Sequence, residues 1–150
     1  MDLESIAALP MQALPDRKLR KDVCEAYGVK VSVDTSTGVV DRHYYPITKG
    51  GKVAAYKLRD LPKSFASIGD MRGKVELFGQ SAVPHGGKKL LIVGGELDAL
   101  SSYQMMIDKY PNFIPAVVSL PKGESTSGIA DNMSFINKFD EIIIILTWMK

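Results

Sequence analysis

Residues 88–100 read Lys-Lys-Leu-Leu-Ile-Val-Gly-Gly-Glu-Leu-Asp-Ala-Leu, and this stretch decides the fold. The apolar run 90–93 is too short for a helix and suits a buried strand. A glycine pair, Gly94 and Gly95, ends it, and acids at Glu96 and Asp98 open a helical stretch at 99–110. Acids in a first helical turn oppose the helix dipole favourably. Beyond residue 88 the pattern alternates: strand 89–93, helix 97–109, strand 116–120, polar loop 121–127, helix 128–138 and strand 141–146. Such alternation predicts a parallel sheet flanked by helices. The run 142–146 reads as a buried strand. Carboxylates at the C-terminal end of a parallel strand are where α/β folds place metal-dependent phosphate chemistry.

Upstream the character differs. Residues 1–15, broken by Pro10 and Pro15, read as a short helix and an arm. Asp16 is placed to cap a helix running to Tyr27, with Gly28 as its stop. Strands are predicted at 29–33, 43–48 and 52–58, the last two joined by a hairpin at Lys49-Gly50-Gly51. A loop follows at 67–73, then a short strand at 75–78 and a linker at 81–87, marked by Pro84 and Gly86-Gly87. The reading is therefore mixed α/β: a small antiparallel α+β subdomain at 16–80 and an incomplete parallel sheet with flanking helices at 88–150.

Bulk properties bound the possibilities. At 150 residues the chain holds one ordinary domain, or one plus a subdomain. Hydrophobic residues make up 45% and charged residues 24%, the balance of a soluble globular protein. A net charge of +2 argues for no nucleic-acid partner by itself, so the placement of cations matters more. The single cysteine, Cys24, rules out an internal disulfide or a multi-cysteine zinc site and suits a reducing cytoplasm. No apolar run approaches the length of a membrane span.

Three constellations carry potential chemistry. In Tyr56-Lys57-Leu58-Arg59-Asp60-Leu61-Pro62-Lys63, Lys57 and Arg59 share one strand face and Lys63 follows in the loop. Cations alternating beside aromatic groups suit a phosphate backbone or nucleotide, and equally an ordinary solvated face. Lys122 opens a Gly- and Ser-rich stretch leading into a helix, able to hold a phosphate or simply to cap that helix. Glu96 and Asp98 could share Mg²⁺ or serve only the helix dipole. His43 and His85 lack the companions of a metal site and read as structural or surface residues. Tyr44-Tyr45 reads as strand packing, and Met105 and Met106 as core.

The strand, acidic turn and helix at 88–100 resemble the Toprim domain of primases and topoisomerases, which reads strand, Glu-Gly-x-x-Asp, helix. Gly94 stands where that family carries its catalytic glutamate. With 19–29, Tyr45-Pro46-Ile47, 55–59, Leu77-Phe78-Gly79-Gln80, 117–120 and 139–143 added, the chain resembles the primase half of phage-type primase–helicases, the family that includes Twinkle. The resemblance implies the RNA-polymerase core of a primase, working with Mg²⁺ held by the Toprim glutamate and an Asp-x-Asp pair. It also implies single-stranded DNA, ribonucleotides and replication proteins as partners, in a phage-infected or prophage-bearing cell. The departures are specific. One cysteine cannot build the zinc module, and no Gly-x-x-x-x-Gly-Lys-Ser/Thr of the helicase is present. The strand that should end in Phe-Asp-x-Asp ends in Leu146-Thr147-Trp148-Met149-Lys150, an ending that a one-nucleotide frameshift of a longer primase gene would produce. No catalytic set is intact, and Glu96 and Asp98 remain as residual acids with weak metal potential. The expectation is a truncated, catalytically impaired primase core that binds single-stranded DNA or nucleotide through Lys57, Arg59, Lys63 and Lys122. Two other readings stay open: a non-catalytic module docking on nucleic acid or replication partners, and an active Toprim phosphotransferase using Glu96 and Asp98.

Overall fold

The computed structural model describes residues 1–60, 64–122 and 125–146. A short helix α1 (Leu3–Ala7) starts the chain, capped by the Asp2 carboxylate on the Ser5 N–H. A one-turn 3-10 helix (Pro15–Arg17) and helix α2 (Lys21–Ala26) follow. The continuous helix from Asp16 to Tyr27 is thus replaced by two pieces. Lys18 adopts a left-handed conformation between them (φ 57°), which no helix tolerates internally. The strands β1 (Lys30–Val33), β2 (Val40–Lys49), β3 (Lys52–Asp60) and β4 (Ser64–Gly69) then form an antiparallel sheet in that order. Gly50 and Gly51 both have positive φ, which gives the tight β2–β3 turn the twist its strands need. Part of the expected loop at 67–73 is the edge strand β4, where Ser67 and Gly69 flank Ile68.

The chain then crosses to a second, three-stranded parallel sheet. Strand β5 (Gly87–Val93) sits between β6 (Ala116–Ser119) and β7 (Phe139–Ile145). Helix α3 (Glu96–Lys109) connects β5 to β6, and the short helices α4 (Ser127–Asp131) and α5 (Met133–Ile136) connect β6 to β7. The adjacent parallel strands follow the sequence reading, but the predicted helix 128–138 breaks at Asn132. That side chain donates to the carbonyls of Val75 and Gly128. The expected strand at 75–78 reduces to one bridge, Phe78 to Ser119. There Gly79 (φ 88°) is obligatory, since a Cβ would lie 2.4 Å from Tyr27 Cε2.

One core joins the two sheets. In the β2–β3 ladder, His43, Tyr45 and Ile47 stand opposite Arg59, Lys57 and Ala55 on one face, and Tyr44 and Pro46 stand opposite Leu58 and Tyr56 on the other. The first face packs on the parallel sheet, with Tyr45, Ile47 and Ala55 sharing a cluster with Leu90, Ile92, Leu100 and Val117. Val83, within 81–87, is buried in the same cluster. The second face meets Ile6 of α1. Both tyrosines of the Tyr44-Tyr45 pair are consequently buried, one on each side. Two other expectations fail. Met105 is largely exposed on α3, while Met106 packs against the core. The isoleucines 143–145 are 37–52% exposed on the edge strand β7.

Candidate nucleic-acid interface

The C-terminal ends of the parallel strands meet at Gly94. Val93 pairs with Ser119 on one side and Ile145 on the other, and the Leu120 N–H donates to the Val93 carbonyl at 3.1 Å. Gly95 is the N-cap of α3, and Glu96 and Asp98 lie in its first turn. Glu96 is buried and Asp98 exposed, because helix positions two apart do not face each other.

Lys57 reaches this place from the other sheet. It shares the inward face of β3 with its cross-strand partner Tyr45, and its Nζ lies 2.5 Å from Glu96 Oε2. The two side chains are only 19% and 9% exposed, so the pair is shielded from solvent screening. Lys122, two residues past Leu120, donates from Nζ to the Gly73 carbonyl at 2.8 Å. Lys63 lies outside the described residues, as do Thr147 and Met149. The structure therefore brings Lys57 and Glu96 together at the strand ends and sets Arg59 farther along the same strand face, beside His43. Lys122 goes instead to Gly73.

Mg²⁺ is poorly served here. The Glu96 carboxylate is already taken by an ammonium group, which would repel a dication. Gly94 offers no ligand, and the described residues contain no cluster of three His, Cys, Asp or Glu able to hold a metal.

A second feature escaped the sequence reading. His43 is only 2% exposed, and its Nδ1 lies 2.8 Å from the Tyr45 hydroxyl. Burial, with the positive charges of Arg59 and Arg17, lowers its pKa to about 4, so the ring is neutral at pH 7. Burial, reinforced by the Glu96 carboxylate, holds the Tyr45 phenol above its ordinary value, with Arg59 and Arg17 opposing. The Gly50-Gly51 turn carried the signal, since the hairpin register alone puts His43 opposite Arg59 and Tyr45 opposite Lys57.

An antiparallel four-stranded sheet packed on a parallel three-stranded sheet with its connecting helices is a fold this chain shares with the primase fragment of a phage primase–helicase. The chain is related in sequence and fold to the primase part of the phage T3 and T7 primase–helicases. It is 28% identical over 138 residues to the DNA helicase/primase of Enterobacteria phage T3, covering 88% of this chain and 22% of that protein. The primase fragment of the bacteriophage T7 primase-helicase superposes with a TM-score of 0.77 at 26% identity, over 94% of this chain and 56% of the fragment. A second T7 structure holds a lagging-strand DNA polymerase interacting with primase domains of two gp4 subunits bound to an RNA/DNA hybrid and dTTP. It matches with a TM-score of 0.75 at 27% identity, over 94% of this chain and 68% of that one. The chain thus spans about a fifth of the T3 protein and just over half of the T7 fragment. No family model matches it. Among the described residues, no helix is long and apolar enough to cross a membrane.

Proposed function

We propose that this chain is a primase-core protein of phage-type DNA replication that binds single-stranded nucleic acid or nucleotide without making primers. The observation that carries the reading is the Lys57–Glu96 pair beside Gly94. The site keeps a partly buried cation and lacks a side chain where the Toprim resemblance expects the catalytic glutamate. Phosphoryl transfer depends on stabilising the charge of the transferring group, which in such enzymes falls to carboxylate-bound metals. Here the carboxylate neutralises Lys57 instead. Lys57, Arg59, Lys63 and Lys122 supply the charge for a phosphate backbone, and the T7 complex with an RNA/DNA hybrid and dTTP supports partners of that class. Replication proteins are the corresponding protein partners.

The test is titration of a fluorescent single-stranded oligonucleotide over a range of salt. Replacing Lys57 and Arg59 by alanine should weaken binding and lower the salt slope by roughly 0.7–1 for each lost phosphate contact. Glu96→Gln should tighten binding, since it releases the Lys57 ammonium. An unchanged slope, together with no effect of Glu96→Gln, would refute the interface. Primer synthesis with Mg²⁺, template and ribonucleotides should be absent in the natural chain and in Gly94→Glu. Synthesis by the natural chain would instead make Glu96 and Asp98 catalytic candidates.

A further inference from the structure

We infer that the open edge of β7 takes the same edge of a second copy of this chain, joining the two parallel sheets into one across a two-fold axis at Ile144. The inference concerns self-association and stands apart from the strand-binding reading above.

Among the described residues β7 is paired on one side only, to β5. An open strand edge is a row of unpaired N–H and C=O groups, and folded proteins ordinarily blunt it with a lysine, a proline, a bulge or a covering segment. Two of the other three sheet edges are treated in that way. The Val31 N–H of β1 donates to the Pro10 carbonyl at 3.0 Å, and that strand shifts register between Ser32 and Val33. On β6 the Ser119 N–H donates to the Phe78 carbonyl at 3.1 Å, and its carbonyl accepts from the Phe78 N–H at 2.9 Å. The third edge, β4, is six residues long and carries Ser67 and Gly69. β7 has none of these devices. It contains no lysine or proline from Phe139 to Leu146, and it pairs with β5 in one constant register. Ile143, Ile144 and Ile145 are exposed along it.

The sequence of this edge selects its occupant. The apolar block 142–146 is symmetric about Ile144. Antiparallel pairing across a two-fold there sets Ile144 against its own copy, Ile143 against Ile145 and Ile142 against Leu146. Directly opposite residues share a sheet face, so apolar side chains meet on both faces of the joint. Asp140 and Glu141 of the two copies then fall at opposite ends. Parallel pairing in register would set each acid beside its own copy, where like charges repel. A two-fold joint uses up both β7 edges, and with the β6 edge closed by Phe78 the sheet stops growing at two chains. Five residues a side is far fewer than the roughly 20–30 of a standard interface, so the dimer is weak and reversible.

Sedimentation equilibrium on the full chain tests this. The mass should rise from 16.4 kDa to near twice that value as concentration increases, over about 5–500 μM, the span in which a weak interface dissociates. Ile144→Lys puts two ammonium groups on the axis and removes apolar contact, so it should weaken the dimer about tenfold or more. Ile144 is 47% exposed, and an unchanged circular dichroism spectrum should show the fold intact. Ile144→Cys gives a second readout. Facing Cα atoms of antiparallel strands lie about 4.5–5.5 Å apart, within disulfide reach. Diamide should therefore cross-link that variant into a covalent dimer, and Val39→Cys, exposed between β1 and β2, should stay monomeric. A mass of one chain at every concentration overturns the inference and leaves the edge to a strand of another protein. Growth past two chains, or a dimer that survives Ile144→Lys, places the contact elsewhere and also overturns it. Absence of cross-linking through Ile144→Cys overturns it whether or not Ile144→Lys folds.

Discussion

Mild acid should destabilise this protein through one residue, His43. In the folded chain its pKa is lowered to about 4 from 6.5, mainly by burial and then by the charges of Arg59 and Arg17. The unfolded chain therefore takes up the proton first as pH falls. The neutral ring's contribution is fully present above about pH 6.5, is lost progressively toward pH 4, and does not fall further below that. The gap between the two values is worth about 3 kcal/mol when complete, of which about 2 kcal/mol is lost between pH 7 and pH 5. Carboxylates held low by hydrogen bonds, including Asp22, Asp34 and Asp70, act in a different window. Their contributions are present above the unfolded carboxylate value and fade only below about pH 5. Urea unfolding followed by circular dichroism at pH 7, 6 and 5 reads the effect directly. With a urea dependence of about 2 kcal/mol/M, the midpoint should drop by about 1 M over that range. His43→Gln keeps a hydrogen-bonding group for Tyr45 and removes the titration, so its midpoint should stay nearly flat. A natural protein with equal midpoints at pH 7 and 5, or a His43→Gln variant that falls as far, would refute the assignment.

Other outcomes follow from the same packing. Lys57→Met should cost about 3 kcal/mol because it leaves Glu96 charged and shielded, whereas Lys57→Met with Glu96→Leu should recover much of that loss. A denaturant double-mutant cycle checks it, and strict additivity would show the pair to be uncoupled. Gly79→Ala should destabilise by more than 3 kcal/mol or prevent folding, since its Cβ has no room beside Tyr27 and the backbone is left-handed. Thermal melts settle that, and a Tm unchanged within a degree would contradict the packing at Tyr27.

Local grammar carried much of the fold into the sequence. Gly50-Gly51 fixed the hairpin, and the apolar runs at 90–93 and 116–119 fixed neighbouring parallel strands. What stayed hidden depends on distance. The Lys57–Glu96 contact joins residues 39 positions apart and needs both sheets packed before it exists. Read locally, Lys57 is an ordinary strand lysine and Glu96 an ordinary first-turn acid. Edge strands were misread in opposite directions. Ser67 and Gly69 made the end of β4 read as loop, while the apolar run of β7 read as buried although its isoleucines 143–145 are exposed. The break at Asn132 was invisible because the side chain's partners, Val75 and Gly128, include one 57 residues away.

Gly94 separates what the fold demands from what chemistry demands. Glycine is imposed at position 69, where a Cβ would meet the Ala54 carbonyl oxygen at 2.5 Å, and at position 79 beneath Tyr27. At position 94 neither constraint applies. The backbone is not left-handed, and an added Cβ would meet nothing nearer than Leu146 Cδ2 at 3.9 Å. A side chain fits there, so Gly94→Glu should fold with a stability change within about 1 kcal/mol. The new carboxylate would follow directly on the end of β5, two residues before Glu96. Glycine at position 94 is therefore no consequence of packing, and beside it Glu96 is paired with Lys57. On the function proposed above, such a site would exchange the Glu96 carboxylate for a phosphate on Lys57, and the Glu96→Gln titration tests that exchange.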